Sequence, residues 1–310
     1  MKLAMIEHGG RTSPAVCTDD SAFDLQRALP CAAEAAREAF GANALPSMLD
    51  LIAAGERALR FLRAVLDDPG RFAAARAPLA AVRLLAPIPR PPKNVFCLGR
   101  NYAEHIREDN VSRDQATALP EVPQFFTKPW TAIVGPEAGI RYDQRVTRRL
   151  DYEVELAVVI GRGGRDIAEE QAMDHVFGYT IVNDVSCRDV QVRHQQWDLG
   201  KSFDTFCPMG PCIVGADELD GGHTRVRGWV TPRGGTAELR QDASTRDLIF
   251  DIPTLIETCS RGITLYPGDV IATGSPAGVG MGFDPPKWLH SGDVVRIEID
   301  GIGAIENRFV

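Results

Sequence analysis

No stretch of the 310 residues approaches the roughly 20 consecutive apolar residues that span a bilayer, and the opening MKLAMIEHGG lacks the long apolar core of a signal peptide. Neither a membrane role nor a secretory leader is expected. Basic charge is also scarce: 34 Lys and Arg face 42 Asp and Glu, for a formal net charge of −8. The one basic run, RVTRRL at 145–150, is short. Nucleic-acid binding needs a clustered cationic surface, so it is not expected either. Cysteine does not organise the chain. Cys17, Cys31, Cys97, Cys187, Cys207, Cys212 and Cys259 are odd in number and scattered, with no CxxC pair and no paired-histidine spacing for zinc. They read as reduced thiols of a cytoplasmic protein. With 44% hydrophobic and 25% charged residues, the composition is that of a soluble globular protein with room for one large domain and a small one.

Several familiar chemistries lack their motifs. GKS at 200–202 would need glycine at position 195 to be a phosphate loop, and that residue is Gln195. GSPAGVGMG at 274–282 is followed by FDPPKW, whose prolines block the helix that a dinucleotide fingerprint requires. Ser275 is not at a nucleophile elbow, because position 273 is Thr rather than Gly. A loop beside a ligand remains as the reading of this glycine-rich stretch.

The first ~85 residues differ in texture from the rest. MKLAMIE reads as a strand, while CAAEAAREAF and PSMLDLIAAGERALRFLRAVLDD read as alanine- and leucine-rich helical segments. Proline-rich LLAPIPRPPKN then marks a connector, so a small α/β domain over 1–85 and a second domain over 86–310 are expected. The second is β-rich: NVFCLG, DYEVELAVVIG, FGYTIVNDV, CPMGPCIVG, RVRGWVT, VIATG and VVRIEID are candidate strands. Helices are expected at AEEQAMDHV, capped by Asp166, and at IPTLIETCSRG, ending at Gly262. Strands and helices do not alternate regularly, which favours an α+β fold with a mixed β-roll over a doubly wound sheet.

Within LDYEVELAVVI at 150–160, strict alternation puts Glu153 and Glu155 on one face of a strand, about 6.5 to 7 Å apart at Cα. A solvated face is one reading. The other is a pair of carboxylates converging on a cation, with Asp184 of FGYTIVNDV as a third oxygen ligand, a set suited to Mg²⁺, Mn²⁺ or Ca²⁺. In NYAEHIRED, His105 and Glu108 lie three apart, so on a helical turn Glu108 can orient the imidazole as a general base, or the two can be ordinary surface neighbours. Lys201, in WDLGKSFDTFCPMGP, either snorkels to solvent or pairs with an anion.

Taken in order, GRNYAEH (99–105), FFTKP (125–129), DYEVELAVVIG (151–161), VNDVSCRDVQ (182–191), GKSFDTFCPMGP (200–211), ITLYPGDVIATGSPAGVG (263–280) and SGDVVRIEIDGIG (291–303) resemble the fumarylacetoacetate hydrolase family, in its acylpyruvase and hydroxyheptadienedioate isomerase-like branch. The resemblance covers about residues 90–310 and implies a mixed β-roll, a homodimer, and Mg²⁺ or Mn²⁺ acting on a diketo or 2-oxo acid. It implies Glu153, Glu155 and Asp184 as metal ligands, and His105 with Glu108 as a water-activating pair on a lid segment. Lys201 would steady developing negative charge, and Arg188, Gln191 and Ser275 would contact substrate. A fourth carboxylate of the eponymous hydrolase falls at Leu98 here, so three protein ligands are expected.

The function so implied is hydrolysis of a carbon–carbon bond in an acylpyruvate or fumarylpyruvate, in aromatic-compound catabolism. The alternative is isomerisation or decarboxylation of a 2-oxo or 2-hydroxydienoic acid or of oxaloacetate, with sugar-acid dehydration or a non-catalytic scaffold behind it. All the catalytic readings share one charge requirement, an enolate stabilised beside the metal.

Overall fold

Alternation along the strand Val154–Ile160 sets up the architecture. Val154, Leu156, Val158 and Ile160 enter one hydrophobic core, while Ala157 and Val159 enter a second on the opposite face. Both faces are covered, so no face of this strand is solvated. The computed structural model describes residues 1–41, 47–113 and 118–310.

Among the described residues, Val154–Ile160 lies inside a 12-stranded sheet. It pairs antiparallel with Val176–Asn183 on one side and with Val270–Ala272 on the other. Val270–Ala272 in turn runs parallel to Val95–Gly99, which pairs antiparallel with Gln124–Lys128, so the sheet is mixed. On its other flank Val176–Asn183 pairs with Cys207–Gly215. That strand meets Lys2–His8 through Lys2↔Val214 and Leu3↔Ile213. Strands of residues 1–85 therefore continue the sheet: Lys2–His8, Arg11–Cys17, Ser21–Asp24 and Arg76–Pro78 follow in order. A four-stranded antiparallel sheet built from Arg225–Thr231, Glu238–Ser244, Val294–Ile299 and Gly303–Arg308 supplies Val226, Val295 and Ile297 to the first core. Helices Met48–Ala54 and Glu56–Asp67 supply Leu51, Ile52, Phe61 and Leu62 to the second. The fold is the expected α+β arrangement, strand-rich and built on a large mixed sheet.

Local readings depart from it in three places. Residues 150–160 are not one strand: Leu150–Asp151 pairs with Ser186–Cys187, and the chain re-enters the main sheet only at Val154. The break frees Asp151 to accept backbone N–H groups from Gly280 and Met281 at 2.7 and 3.1 Å. Helix AEEQAMDHV is a 3₁₀ helix over Glu169–His175, and Asp166 accepts from Gly262 N–H at 3.2 Å instead of capping it. The helical segment after Ser47 splits at Gly55 (φ 53°) into two helices, the first with a Ser47–Asp50 capping box.

Ile181, fully buried on Val176–Asn183, sits where the sheet is covered on both sides. Ile181→Ala should lower the free energy of unfolding by about 2–5 kcal/mol, whereas Ile263→Ala, at a position 41% exposed, should change it by no more than about 0.5 kcal/mol. Urea unfolding of the two variants checks the difference.

Candidate metal centre and active site

Two carboxylates two residues apart, and a third from the neighbouring strand's end, meet in the interior. One oxygen each of Glu153, Glu155 and Asp184 lies within 4.8 Å of the others, and all three residues are buried. Glu155 stands on the face that Ala157 and Val159 continue into the second core, opposite Val182 in the register, and Asp184 follows two residues after Val182. Adjacent strands thus deliver the two side chains to one place.

Such a concentration of negative charge needs cations around it. Lys201 Nζ donates to Glu153 at 2.8 Å and to Asp184 at 2.5 Å, and it lies 4.7 Å from the Phe126 ring centroid. Of the two readings open for Lys201, pairing with an anion is the one found. Arg188 Nη1 reaches Glu153 at 2.7 Å, and its Nε reaches Asp151 at 2.9 Å. Lys128, wholly buried, donates to Asp184 at 2.6 Å and to the Val185 carbonyl at 3.1 Å. Gly200 lets this assembly close up. A β-carbon there would stand 2.7 Å from Gln191 Cγ and 2.9 Å from the Cys187 carbonyl oxygen, so the GKS glycine serves close packing of the turn that carries Lys201.

Glu155 is the member left unsatisfied. Its Oε2 accepts from Gly274 N–H at 3.0 Å, but Oε1 is buried with no partner among the described residues. Burial, then the charges of Asp184 and Glu153, push its carboxyl well above the ordinary glutamate range. At Glu153 burial also opposes ionisation, but Lys201 and Arg188 outweigh it and hold that carboxyl below its usual range. An orphaned buried oxygen grouped with two other carboxylates fits a divalent cation. The donor set is hard, three carboxylates and no thiol or imidazole; burial, then Asp184 and Glu155, push the nearby Cys97 thiol well above its ordinary value. Leu98 is a buried apolar residue of the cleft wall and offers no fourth carboxylate.

The cleft beside this cluster, about 40 Å³, is lined by His105, Glu153, Arg188, Gln191, Lys201 and Ser275, with Leu98, Phe126, Trp197 and Met281 as its apolar wall. His105 and Glu108 sit one turn apart on the helix Ala103–Arg113, with Nδ1 3.3 Å from Oε2. Gly278 N–H donates to both Glu108 oxygens at 3.1 Å. Gly278 is at φ +102°, and a β-carbon there would fall 1.8 Å from the Arg240 carbonyl oxygen, so only glycine brings this N–H to Glu108. Ser275 Oγ accepts from Gln241 Nε2 at 2.8 Å, leaving its hydroxyl proton to donate. Arg188 Nη2 and Gln191 Nε2 are buried donors without partners among the described residues, and both residues line the cleft. The residues singled out in the sequence thus come together: six line the cleft, while Glu108, Glu155 and Asp184 do not line it but bond to or group with residues that do.

Residues 94–310 match the family described as fumarylacetoacetate (FAA) hydrolase, C-terminal. The chain belongs to the fumarylacetoacetate hydrolase family. It is 43% identical over 306 residues to the oxaloacetate tautomerase YisK of Bacillus subtilis, covering 94% of each chain. It is 42% identical over 270 residues to the mitochondrial oxaloacetate tautomerase fahd2 of Xenopus laevis, covering 85% of this chain and 78% of that one. Among solved structures, a fumarylacetoacetate hydrolase from Exiguobacterium antarcticum superposes with a TM-score of 0.77 at 39% identity, over 100% of this chain and 99% of the other.

Three contributors to this family site went unread in the sequence. Lys128 lies within FFTKP, where a lysine in an apolar strand is the signal of a buried ion pair. Asp151 gives no local signal, because its partners are 37 and 129 residues away. Asn101, fully buried, donates to the carbonyls of Thr273 and Phe250 at 2.8 and 3.0 Å and accepts from Phe250 N–H, tying the GRNY stretch to the 273–278 loop.

A raised carboxyl at Glu155 means that the metal-free folded state holds a proton which the unfolded chain releases near pH 4.5, so ionising Glu155 opposes folding as pH rises from there. Without metal, Glu155→Gln should therefore gain stability over the parent, and the gap should widen as pH climbs above 4.5. Added Mg²⁺ should reverse the order by stabilising the parent alone. Denaturant unfolding with and without Mg²⁺ checks both signs; equal Mg²⁺ stabilisation of the two proteins would remove Glu155 from the metal site.

Proposed function

We propose that this chain is a divalent-metal-dependent tautomerase that interconverts the enol and keto forms of oxaloacetate, with Mg²⁺ or Mn²⁺ held by Glu153, Glu155 and Asp184. The observation that carries the reading is the 43% identity to a tautomerase over 94% of both chains, which extends well beyond residues 94–310 into the N-terminal part. The geometry supports it on two counts. A proton carrier, His105 with Glu108, faces the carboxylate cluster across a small cleft, and the polar side of that cleft holds unpaired donors at Arg188 and Gln191.

The bound ion supplies Lewis acidity, which favours the negative charge that builds on a 2-oxo acid when a neighbouring C–H proton leaves. The chain's own residues do the rest. Arg188 Nη2 and Gln191 Nε2 receive the carboxylate next to the keto group, and Ser275 donates to the same end. His105 takes the proton from C3 at its Nε2, while Glu108 on Nδ1 fixes the tautomer and steadies the imidazolium. The proton then returns to the C2 oxygen, so the enol forms with no net loss of atoms. Lys201, held against Glu153 and Asp184, helps keep the Glu153 carboxyl ionised and fixes the position of both side chains. Leu98, Phe126, Trp197 and Met281 exclude bulk water.

Hydrolysis of an acylpyruvate or fumarylpyruvate is the second reading, favoured by the likeness to the Exiguobacterium hydrolase. There the same dyad would deprotonate water rather than carbon. Decay of the enol's ultraviolet absorbance, followed with Mg²⁺, separates the two. The parent protein should accelerate ketonisation, and His105→Ala should lower that rate by about 10²- to 10⁴-fold. No acceleration of ketonisation, together with metal-dependent cleavage of an acylpyruvate, would replace tautomerisation with hydrolysis.

A further inference from the structure

The cations at the cleft are almost all spoken for. Lys201 pairs with Glu153 and Asp184, and Arg188 with Glu153 and Asp151. Lys128, behind the wall, pairs with Asp184. Arg100 is different. It lines the same cleft, yet among the described residues no carboxylate lies within 4.0 Å of its guanidinium. Among the described residues its side chain makes one hydrogen bond, a long one from Nη2 to the Ala118 carbonyl at 3.4 Å, and its buried Nε has no partner.

The backbone at this point is also unusual. Arg100 has φ +59°, in the left-handed region that non-glycine residues rarely adopt, between Gly99 and the buried Asn101. A β-carbon at Gly99 would stand 2.2 Å from the Trp197 ring, so the indole packs directly on the main chain just before Arg100. Asn101, bonded to Thr273 and Phe250, holds the chain just after it. A side chain fixed between two such anchors has its entry into the cleft decided by the fold. A buried guanidinium nitrogen with no partner costs free energy unless an acceptor arrives.

We infer that Arg100 is a specificity-determining residue, which binds the second carboxylate of a short dicarboxylic substrate whose first carboxylate and keto oxygen face the Glu153–Glu155–Asp184 cluster. The inference deepens the tautomerase reading and rests on it for the substrate class. A guanidinium without an internal counter-ion selects for an anion at the far end, and a substrate ending in a methyl group leaves it unpaired.

Stable 2-hydroxy acids test this apart from turnover: malate carries the second carboxylate, and 2-hydroxybutanoate has a methyl group in its place. Calorimetry with Mg²⁺ should show the parent binding malate at least about tenfold more tightly than 2-hydroxybutanoate. Arg100→Met should weaken malate about ten- to hundredfold and 2-hydroxybutanoate by less than about threefold. Arg100→Lys, which keeps the charge, should recover part of the malate affinity. Neither variant introduces a new backbone problem, since methionine and lysine meet the same positive φ as arginine. An Arg100→Met variant that keeps the malate preference overturns the inference, as does one that loses both ligands equally. Enol oxaloacetate turnover by the parent is scored separately. If it is absent while the malate preference depends on Arg100, the tautomerase reading fails and the subsite stands.

Discussion

Mutual repulsion among Glu153, Glu155 and Asp184 is the constraint around which the rest of the site is built. Three carboxylates with oxygens within 4.8 Å of one another, in a buried position, cannot all be ionised without compensation. The fold brings in Lys201, Arg188 and Lys128 from three separate segments, and each lands on a carboxylate at 2.5–2.8 Å. Compensation is incomplete, because Glu155 Oε1 still lacks a partner. That shortfall is what makes the cluster able to hold a divalent ion. A fully neutralised set would be a structural ion network with nothing left to bind.

Holding carboxylates at such a distance requires a rigid frame, and the sheet supplies it. Glu155 rides on one strand and Asp184 follows directly on the end of its antiparallel neighbour, both strands covered on both faces, so neither side chain can relax away from the other without disturbing the register. Around this frame, tight backbone approaches set the remaining distances. Gly200 lets the Lys201 turn close on Gln191, and Gly278 lets a backbone N–H reach Glu108. Of the described non-glycine residues at positive φ, Arg100 is the one that lines the cleft. Catalytic function follows from a polar cluster held by an apolar sandwich.

Much of this was legible along the chain, and the reasons are particular. Val154–Ile160, Val176–Asn183 and Cys207–Gly215 were readable as strands because apolar runs bounded by Gly, Asn and Asp have few other outcomes. The 3₁₀ turn at Glu169–His175 was misread as a helix, because Asp166 looked like a cap but its carboxylate was drawn to Gly262 N–H, 96 residues away. Lys128 and Asp151 were missed for a related reason. Their roles lie in partners 56 and 129 residues distant, and no local pattern encodes such a contact. For Lys201, composition left solvent exposure and ion pairing equally open, and only packing against Phe126 and two carboxylates separates them.

By itself the sequence determined what short-range geometry controls. Residues two apart on a strand share a face and residues three apart on a helix are neighbours, so Glu153 with Glu155 and His105 with Glu108 could be paired on paper. The tertiary structure was needed to show that the shared face is buried, that Asp184 completes it, and that Lys201, Lys128 and Arg188 close on it while Arg100 meets no carboxylate among the described residues. The physical reason is that burial and charge pairing are properties of surroundings. The groups that set the ionisation of Glu155 come from Glu153 two residues away, Asp184 29 residues on, and the loop at Gly274, 119 residues on.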